Sequence, residues 1–356
     1  MILQALKSYY DRLAADPTSG IARPGYSEQK ITFVVVLNPD GSLHEIRDGR
    51  REEVATLRNG NLKVDLRPTP MIVPGGAKPS GSGLNPGFLW DNTGYMLGFK
   101  LDDPKPERTR ESFEAFRQRH LGLESAINDS AFSAVCRFLE NWQPERSAEH
   151  PLLRDLTTGF GVFQITAAQE YVHDRPLVRA WWDAQIGGNR FVQTGYCLVT
   201  GVTAPIATLH EPAIKGIAGA QASGAKLVSF NCDAFTSYGK EQGANAPVSE
   251  EAAFAYCNAL NLLLGRDRQR LQIGDATTVF WTDQPRGREG EVSSDELISF
   301  LLDTAQEQPQ DPNLRNRILA ILDKAANGQL KEDDLGDAAT PFYILGLSPN
   351  AARLSV

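Results

Sequence analysis

The sequence is poor in the residues that break bonds. Its 356 residues include five histidines, His44, His120, His150, His173 and His210, and they stand far apart. The four cysteines, Cys136, Cys197, Cys232 and Cys257, contain no CxxC pair, which argues against the usual zinc spacings. Cys136 and Cys257 fall on helix faces that read as core, so buried free thiols in a reducing cytoplasm are expected. No G-x-x-x-x-G-K-[ST] phosphate loop occurs; Gly75-Gly76-Ala77-Lys78-Pro79 has its lysine misplaced and a proline after it. There is no G-x-S-x-G elbow and no H-E-x-x-H helix. Carboxylates are plentiful but form no recognisable acid–base pair. No cofactor and no metal are expected from this inventory.

Two further absences bear on partners. No run of about 18 apolar residues exists, and the N-terminus lacks a signal-peptide pattern, so a cytoplasmic protein without a membrane span is expected. An excess of positive charge is missing too: the formal net charge is −8, which argues against a generic nucleic-acid binder. The whole of that excess lies in residues 241–356, and residues 1–240 are balanced. A nucleic-acid face would have to be a local patch in the first two-thirds.

What is present reads as an α+β protein, with strand-rich N-terminal and middle parts and a more helical last third. Leu3, Leu6, Tyr10 and Leu13 share one face of a helix over 2–15. Ile31–Leu37 is a strong strand, turned at Asn38-Pro39-Asp40-Gly41 into a second over Leu43–Arg47. Shorter strands are predicted at Leu62–Leu66 and Met71–Val73, broken by Pro68 and Pro70, and at Tyr95–Phe99. Helices are predicted over Arg108–Leu121, Ser130–Trp142 and Leu177–Gln185. Phe160–Ile165 starts a second sheet region, followed by strands at Tyr196–Val202 and Lys226–Val228. Ser249 caps a helix with Ala253, Tyr256, Cys257, Leu260 and Leu264 on its core face. Thr277–Thr282 is a strand, helices open at Ser293 and after Asp311-Pro312, and Phe342–Leu347 is a strand. The pattern divides near residue 150, giving domains over 1–150 and 151–356. The chain stops inside a second apolar strand, which reads as a fragment of a longer protein.

Two kinds of loop stand out. Val73–Asn92 is crowded with glycine and proline and carries Lys78, Ser80, Ser82 and Asn85; glycine there permits close backbone approach to a ligand, or simply a surface loop. Ser229–Asn245 carries a polar load of Asn231, Thr236, Ser237, Tyr238, Lys240, Gln242 and Asn245, with Gly239 and Gly243 for tight bends. Neutral amides and hydroxyls with one cation suit phosphates and base edges better than bond-breaking chemistry.

Thr200-Gly201, His210, Ile214-Lys215-Gly216 and Ser229-Phe230-Asn231 resemble the large subunit of the type I-C CRISPR surveillance complex, Cascade. So do the contiguous Ser237–Ser249 segment, Phe88-Leu89-Trp90-Asp91-Asn92, the Met1–Leu6 helix and the ending Phe342–Val356. The resemblance spans the chain, and members of that family continue into a further helical region. It implies a subunit that does not cleave. It would inspect target double-stranded DNA for the protospacer-adjacent motif, promote strand separation beside the guide RNA and other Cascade subunits, and support recruitment of a helicase–nuclease. It also implies DNA-contacting roles for Lys78, Ser80, Asn85, Asn231, Ser237, Tyr238, Lys240, Gln242 and Asn245. Lys240 would reach a base edge or phosphate, Gln242 and Asn245 would read an adenine edge or wedge beside an unpaired base, and Ser237 and Tyr238 would position the backbone.

Other readings stay open at this level. Asn231 and Asn245 could hold the loop through side chain–backbone bonds. His210 could hydrogen-bond in the core. The dipeptide His173-Asp174 could mark a metal-dependent nucleic-acid phosphohydrolase, although further ligands are not evident. The subunit could also be purely architectural, binding guide RNA and partner proteins.

Overall fold

The computed structural model describes residues 2–355 apart from 17, 57–61, 77–82, 157–158, 167, 187–192, 231, 267–268, 283–319, 321–322, 325–326, 330–340 and 351–352. Two compact units emerge. One combines Met1–Ile21 with Phe191–Val356; the other is Ala22–Arg190. The division falls some forty residues beyond the expected one near 150, and the first helix belongs with the second half of the chain.

The chain opens with α1 (Ile2–Ala14), whose Leu6, Tyr9 and Tyr10 are buried. The unit of residues 22–190 is built on a sheet of β1 (Tyr26–Leu37), β2 (Leu43–Asp48), β3 (Arg50–Thr56), β4 (Leu62–Pro74), β5 (Trp90–Asp91) and β6 (Phe160–Ile165). Its order is β3-β4-β1-β6-β5, with β2 also on β1. Strand β6 runs parallel to β1, Val34 opposite Val162 and Val35 opposite Phe163. That pairing explains the boundary: 160–165 does not begin a second sheet but completes the first. Both faces of β1 are covered, so its second half is an unbroken apolar run rather than an alternating one.

Helices cover one face. They are α2 (Thr93–Met96), α3 (Pro106–Leu121), α4 (Glu124–Ile127), α5 (Ser130–Asn141), α6 (Pro151–Asp155) and α7 (Pro176–Gln185). Phe33, Val35 and Leu37 pack there with Phe113, Phe116, Phe132, Val135 and Leu139. Asp129 caps α5 by accepting from the Ala131 and Phe132 amides, and its carboxylate also takes the Arg175 guanidinium at 2.9 Å. The strand expected at 95–99 is instead the single turn α2, because the Asn92 side chain accepts from the Gly94 and Tyr95 amides and starts a helix.

Strand β4 runs through Pro68 and Pro70 without a break. Residues 62–68 pair only with β3 and 69–74 only with β1. A strand with one neighbour at each point leaves alternate N–H groups unpaired, and proline fits those positions. The charged strand β3 was not predicted from sequence; it carries Arg50, Arg51, Glu52 and Glu53 and is an edge of the sheet.

The other unit packs α1 against α8 (Glu250–Gly265). Ser249 is its N-cap, as expected, accepting from the Ala252 amide at 3.2 Å. Alanines 252, 253, 255 and 259 let neighbours come close, and Tyr256, Leu260, Leu263 and Leu264 complete the core with Val279, Trp281, Leu345 and Leu347. The last four belong to a four-stranded sheet whose strands follow the hairpin pair β7 (Thr194–Tyr196) and β8 (Thr203–Pro205). They are β9 (Arg270–Ile273), β10 (Ala276–Thr282), β11 (Phe342–Asn350) and β12 (Arg353–Ser355), in the order β12-β11-β10-β9. The single strand expected at 196–202 is thus the hairpin β7–β8, turned at Gly201 with φ +73. Lys226–Val228 is no strand; the neighbouring Ala225 makes only an isolated bridge to Ile214. The helices expected after 293 and 312 lie largely outside the described residues. The chain is α+β. Cys136, Cys197 and Cys257 are buried, and Cys232 is exposed.

Candidate nucleic-acid interface

The polar loop is fastened at its exit before α8. The Pro247 and Val248 carbonyls accept from the Leu198 and Ala207 amides, each at 2.9 Å. The Cys197 sulfur accepts from the Ser249 and Thr200 amides at 3.2 and 3.4 Å. Gly243 is buried and donates to the Thr208 carbonyl at 3.2 Å. A β-carbon on Gly243 would lie 2.0 Å from the Ala207 carbonyl oxygen, so only glycine allows this approach.

From that anchor the chain forms a tight outward turn, Ser237-Tyr238-Gly239-Lys240. The Lys240 amide donates to the Ser237 carbonyl at 3.0 Å. Tyr238 and Gly239 have φ of +54 and +68, the left-handed pair that defines a type I′ turn. Gln242, at φ +42, opens a short 3-10 turn over Gln242–Asn245. The side chain of Asn245 closes the structure. Its Oδ1 accepts from the Ser237 amide at 2.9 Å, and its Nδ2 donates to the Lys240 and Gln242 carbonyls, both at 3.0 Å.

This arrangement sorts the sequence candidates. Asn245 holds the loop; its carboxamide is occupied by the backbone, which moves it from the group that would read bases to the group that shapes the turn. Ser237 contributes both backbone groups to the turn. Tyr238 is 97% exposed. Lys240 and Gln242 are exposed, and their side chains have no hydrogen-bond or ionic partner among the described residues. Asn231 lies outside the described residues. Sequence reasoning did not anticipate the Cys197 sulfur as an acceptor, or Gly243 as the buried pivot of the loop; a glycine between polar residues signals a bend but not its burial.

His210 lies at the root of the loop and takes the structural role. It is buried, its Nδ1 stands 2.6 Å from the Tyr256 hydroxyl, and burial with the nearby Lys226 cation pushes its pKa down to about 4. Lys226 donates to the His210 carbonyl at 2.7 Å and pairs with Glu211 at 2.5 Å. A shallow cleft beside them is lined by Thr208, His210, Lys226, Ser229, Phe230 and Gly243.

The glycine-rich segment belongs to the unit of residues 22–190. Lys78 and Ser80 lie outside the described residues. The return of the segment is described from 83 onward and is tied down at nearly every residue. The Asn85 amide donates to the Tyr95 hydroxyl at 3.1 Å, Arg119 donates to the Pro86 carbonyl, and the Gly87 amide donates to Asp91 at 2.7 Å. Leu89, at φ +62, donates its amide to His120 Nε2 at 3.0 Å. That bond makes Nε2 the acceptor and leaves the ring proton on Nδ1, which donates to the Phe116 carbonyl at 2.7 Å. Burial drives the His120 pKa down to about 3, against the opposing pull of the Phe116 bond. Phe88 stacks on His120 and Trp182. The Trp90 indole donates to the Pro74 carbonyl at 2.6 Å and so closes the base of the whole segment. Asn85 itself is exposed.

The dipeptide His173-Asp174 is part of no metal-binding cluster among the described residues. His173 is buried with its ring stacked on Tyr171, and burial lowers its pKa. Among the described residues no group of three or more His, Cys, Asp or Glu could hold a metal ion. Among them, too, no helix is long and apolar enough to cross a membrane.

Compared with known proteins, residues 6–356 match the family model described as CRISPR-associated protein (Cas_Csd1). A search of curated proteins finds no match.

Proposed function

The chain belongs to the Cas_Csd1 family of CRISPR-associated proteins, and from that premise we propose that it is the non-catalytic large subunit of a type I-C RNA-guided surveillance complex. In this role it acts in the cytoplasm beside the other Cascade subunits. Guide RNA pairing reads the target sequence, while the protein reads a short motif in the duplex and the DNA backbone. It then favours strand separation and supports arrival of a helicase–nuclease.

The observation that carries this reading is the polar loop. Its backbone is fixed by Asn245 and Gly243, so the side chains of Lys240 and Gln242 are presented on a preformed turn without partners among the described residues. A cation and a carboxamide offered in this way match phosphate and base-edge chemistry. The exposed Asn85 is the second candidate contact, on its own unit. The burial of His173 supports a binding role over a hydrolytic one.

The test uses the assembled complex. Lys240→Ala and Gln242→Ala are expected to weaken binding to motif-containing duplex by roughly 1–3 kcal/mol each. Binding to targets already opened beside the motif should change much less. Parent-like duplex binding by both variants would overturn the assignment. Sustained metal-dependent cleavage by the purified chain, abolished in His173→Ala, would favour the phosphohydrolase instead. An architectural role has one observation in its favour: Leu198, Val202 and Leu209 are exposed at the root of the loop. Crosslinks from residues 237–245 to protein or guide RNA, and none to DNA, would establish it.

A further inference from the structure

Lys240 and Gln242 account for a motif reader, but they leave the most exposed large hydrophobic side chain of the described residues without a task. Tyr238 is 97% exposed, so almost the entire ring stands in water. Its backbone sits at φ +54, a region where a bulky residue is strained. The first central position of a type I′ turn is ordinarily filled by asparagine, aspartate or glycine. Nothing in the turn needs a phenol: the geometry is held by three bonds from the Asn245 carboxamide and by the Lys240–Ser237 backbone bond. The turn therefore holds, at a strained backbone position, an aromatic ring that packs against none of the described residues.

We propose that Tyr238 is a stacking platform for an unpaired DNA base beside the recognised motif, while Lys240 stays on the motif duplex. This deepens the motif-reading role and rests on it. An exposed aromatic face close to a cation is the pairing by which proteins hold single-stranded nucleic acid. The ring takes the face of the first unpaired base, while Lys240 and Gln242 remain on the neighbouring duplex. Because the turn is preformed, little conformational freedom is lost when the base arrives. The immediate surroundings favour a base over a protein partner. Protein hot-spot aromatics sit in a ring of contacts that exclude water, whereas Tyr238 is flanked by Ser237, Gly239, Lys240 and Glu241, all exposed. Capture of one base out of the helical stack offsets part of the cost of unpairing, which biases a motif-bearing duplex toward opening.

The experiment uses the assembled complex and pre-opened targets that carry either a natural base or an abasic residue at each of the first three unpaired positions. Tyr238→Ala is expected to weaken binding roughly fivefold to a hundredfold. Tyr238→Phe should bind like the parent. At one position the abasic residue should weaken the parent by the same factor and leave Tyr238→Ala unaffected. Equal loss by Tyr238→Ala with and without the base would overturn the proposal, as would loss in Tyr238→Phe, parent-like binding by Tyr238→Ala, or failure of Tyr238→Ala to assemble, which would assign the ring to a protein contact. Lys240→Ala separates the two levels. If it loses motif preference while Tyr238→Ala behaves as the parent, motif reading stands and base stacking falls; if both behave as the parent, both fall.

Discussion

The two irregular loops of this chain are held in opposite ways. The return of the glycine-rich segment is held by the core: Tyr95, Arg119, His120 and Trp90 each contribute a side chain to its backbone or its base. The polar loop is anchored only at its base, where Gly243 packs on Ala207 and Thr208, and its tip is held by itself, through the Asn245 side chain. A loop tied to the core shares the fate of its domain. A self-clasped loop can change its tip without disturbing the fold, which is where binding residues are placed at least structural cost. The contrast predicts that substitutions in the first loop act on stability and those in the second on recognition.

The largest expected effect is Trp90→Ala. It empties a fully buried site and leaves the Pro74 carbonyl without its donor. A loss of about 3–5 kcal/mol is expected from the cavity alone. Urea unfolding of the purified chain measures it, and an unchanged midpoint would show that the segment is not held by the core.

Acid provides the next test. His120 and His210 titrate at about 3 and about 4 in the folded chain, below the ordinary 6.5, because burial disfavours their charged forms. The unfolded chain therefore binds the extra protons. The stability that comes from keeping the rings neutral is whole above pH 6.5. It declines as pH falls, down to about 4 for His210 and about 3 for His120. At pH 5 each ring costs about 2 kcal/mol. Each unit holds one of these histidines, so both should weaken together between pH 6.5 and 4, and only the unit of residues 22–190 should weaken further below that. Hydrogen exchange followed separately in the two units checks the sequence of events; acid sensitivity of one unit alone would contradict it.

Asn245→Ala is smaller in energy but specific in place. Three exposed hydrogen bonds are lost, worth together roughly 1–2 kcal/mol in a site that water reaches. Protease cutting within 237–243 should rise and binding to motif-bearing duplex should fall, with the global unfolding midpoint little changed. Asn245→Asp should not restore the loop, since a carboxylate cannot donate to the Lys240 and Gln242 carbonyls. Full rescue by aspartate would mean that the Ser237 contact alone sets the turn.

The sequence made the regular elements legible where a local signal was strong. Ser249 caps α8 as expected, and the apolar run at 31–37 is the central strand. It misled where a partner distant in sequence decides the outcome. The parallel pairing of β6 with β1 moved the domain boundary, and Asn92 converted an apolar run into a turn of helix. Of the site, the polar composition of 229–245 was readable, but the division of labour within it was not. Asn245 and Gln242 present the same carboxamide chemistry, and only the backbone positions of Ser237 and Lys240 decide that one is used internally while the other meets no partner among the described residues.

The smallest expected stability change is the most informative about the tip. Lys240→Ala and Gln242→Ala remove exposed groups and should shift stability by less than about 0.5 kcal/mol. Tyr238→Asn should do the reverse of most substitutions. Asparagine tolerates the left-handed backbone that tyrosine resists, so relief of strain at φ +54 is expected to stabilise the chain by roughly 0.5–1 kcal/mol. The same change removes the aromatic ring from the tip. Tyr238→Asn should therefore raise the unfolding midpoint of the isolated chain and lower the affinity of the assembled complex for opened target DNA. If the midpoint rises and affinity holds, the ring is incidental. If the midpoint falls, the turn depends on a contact of the ring, and the self-clasped description of this loop is wrong.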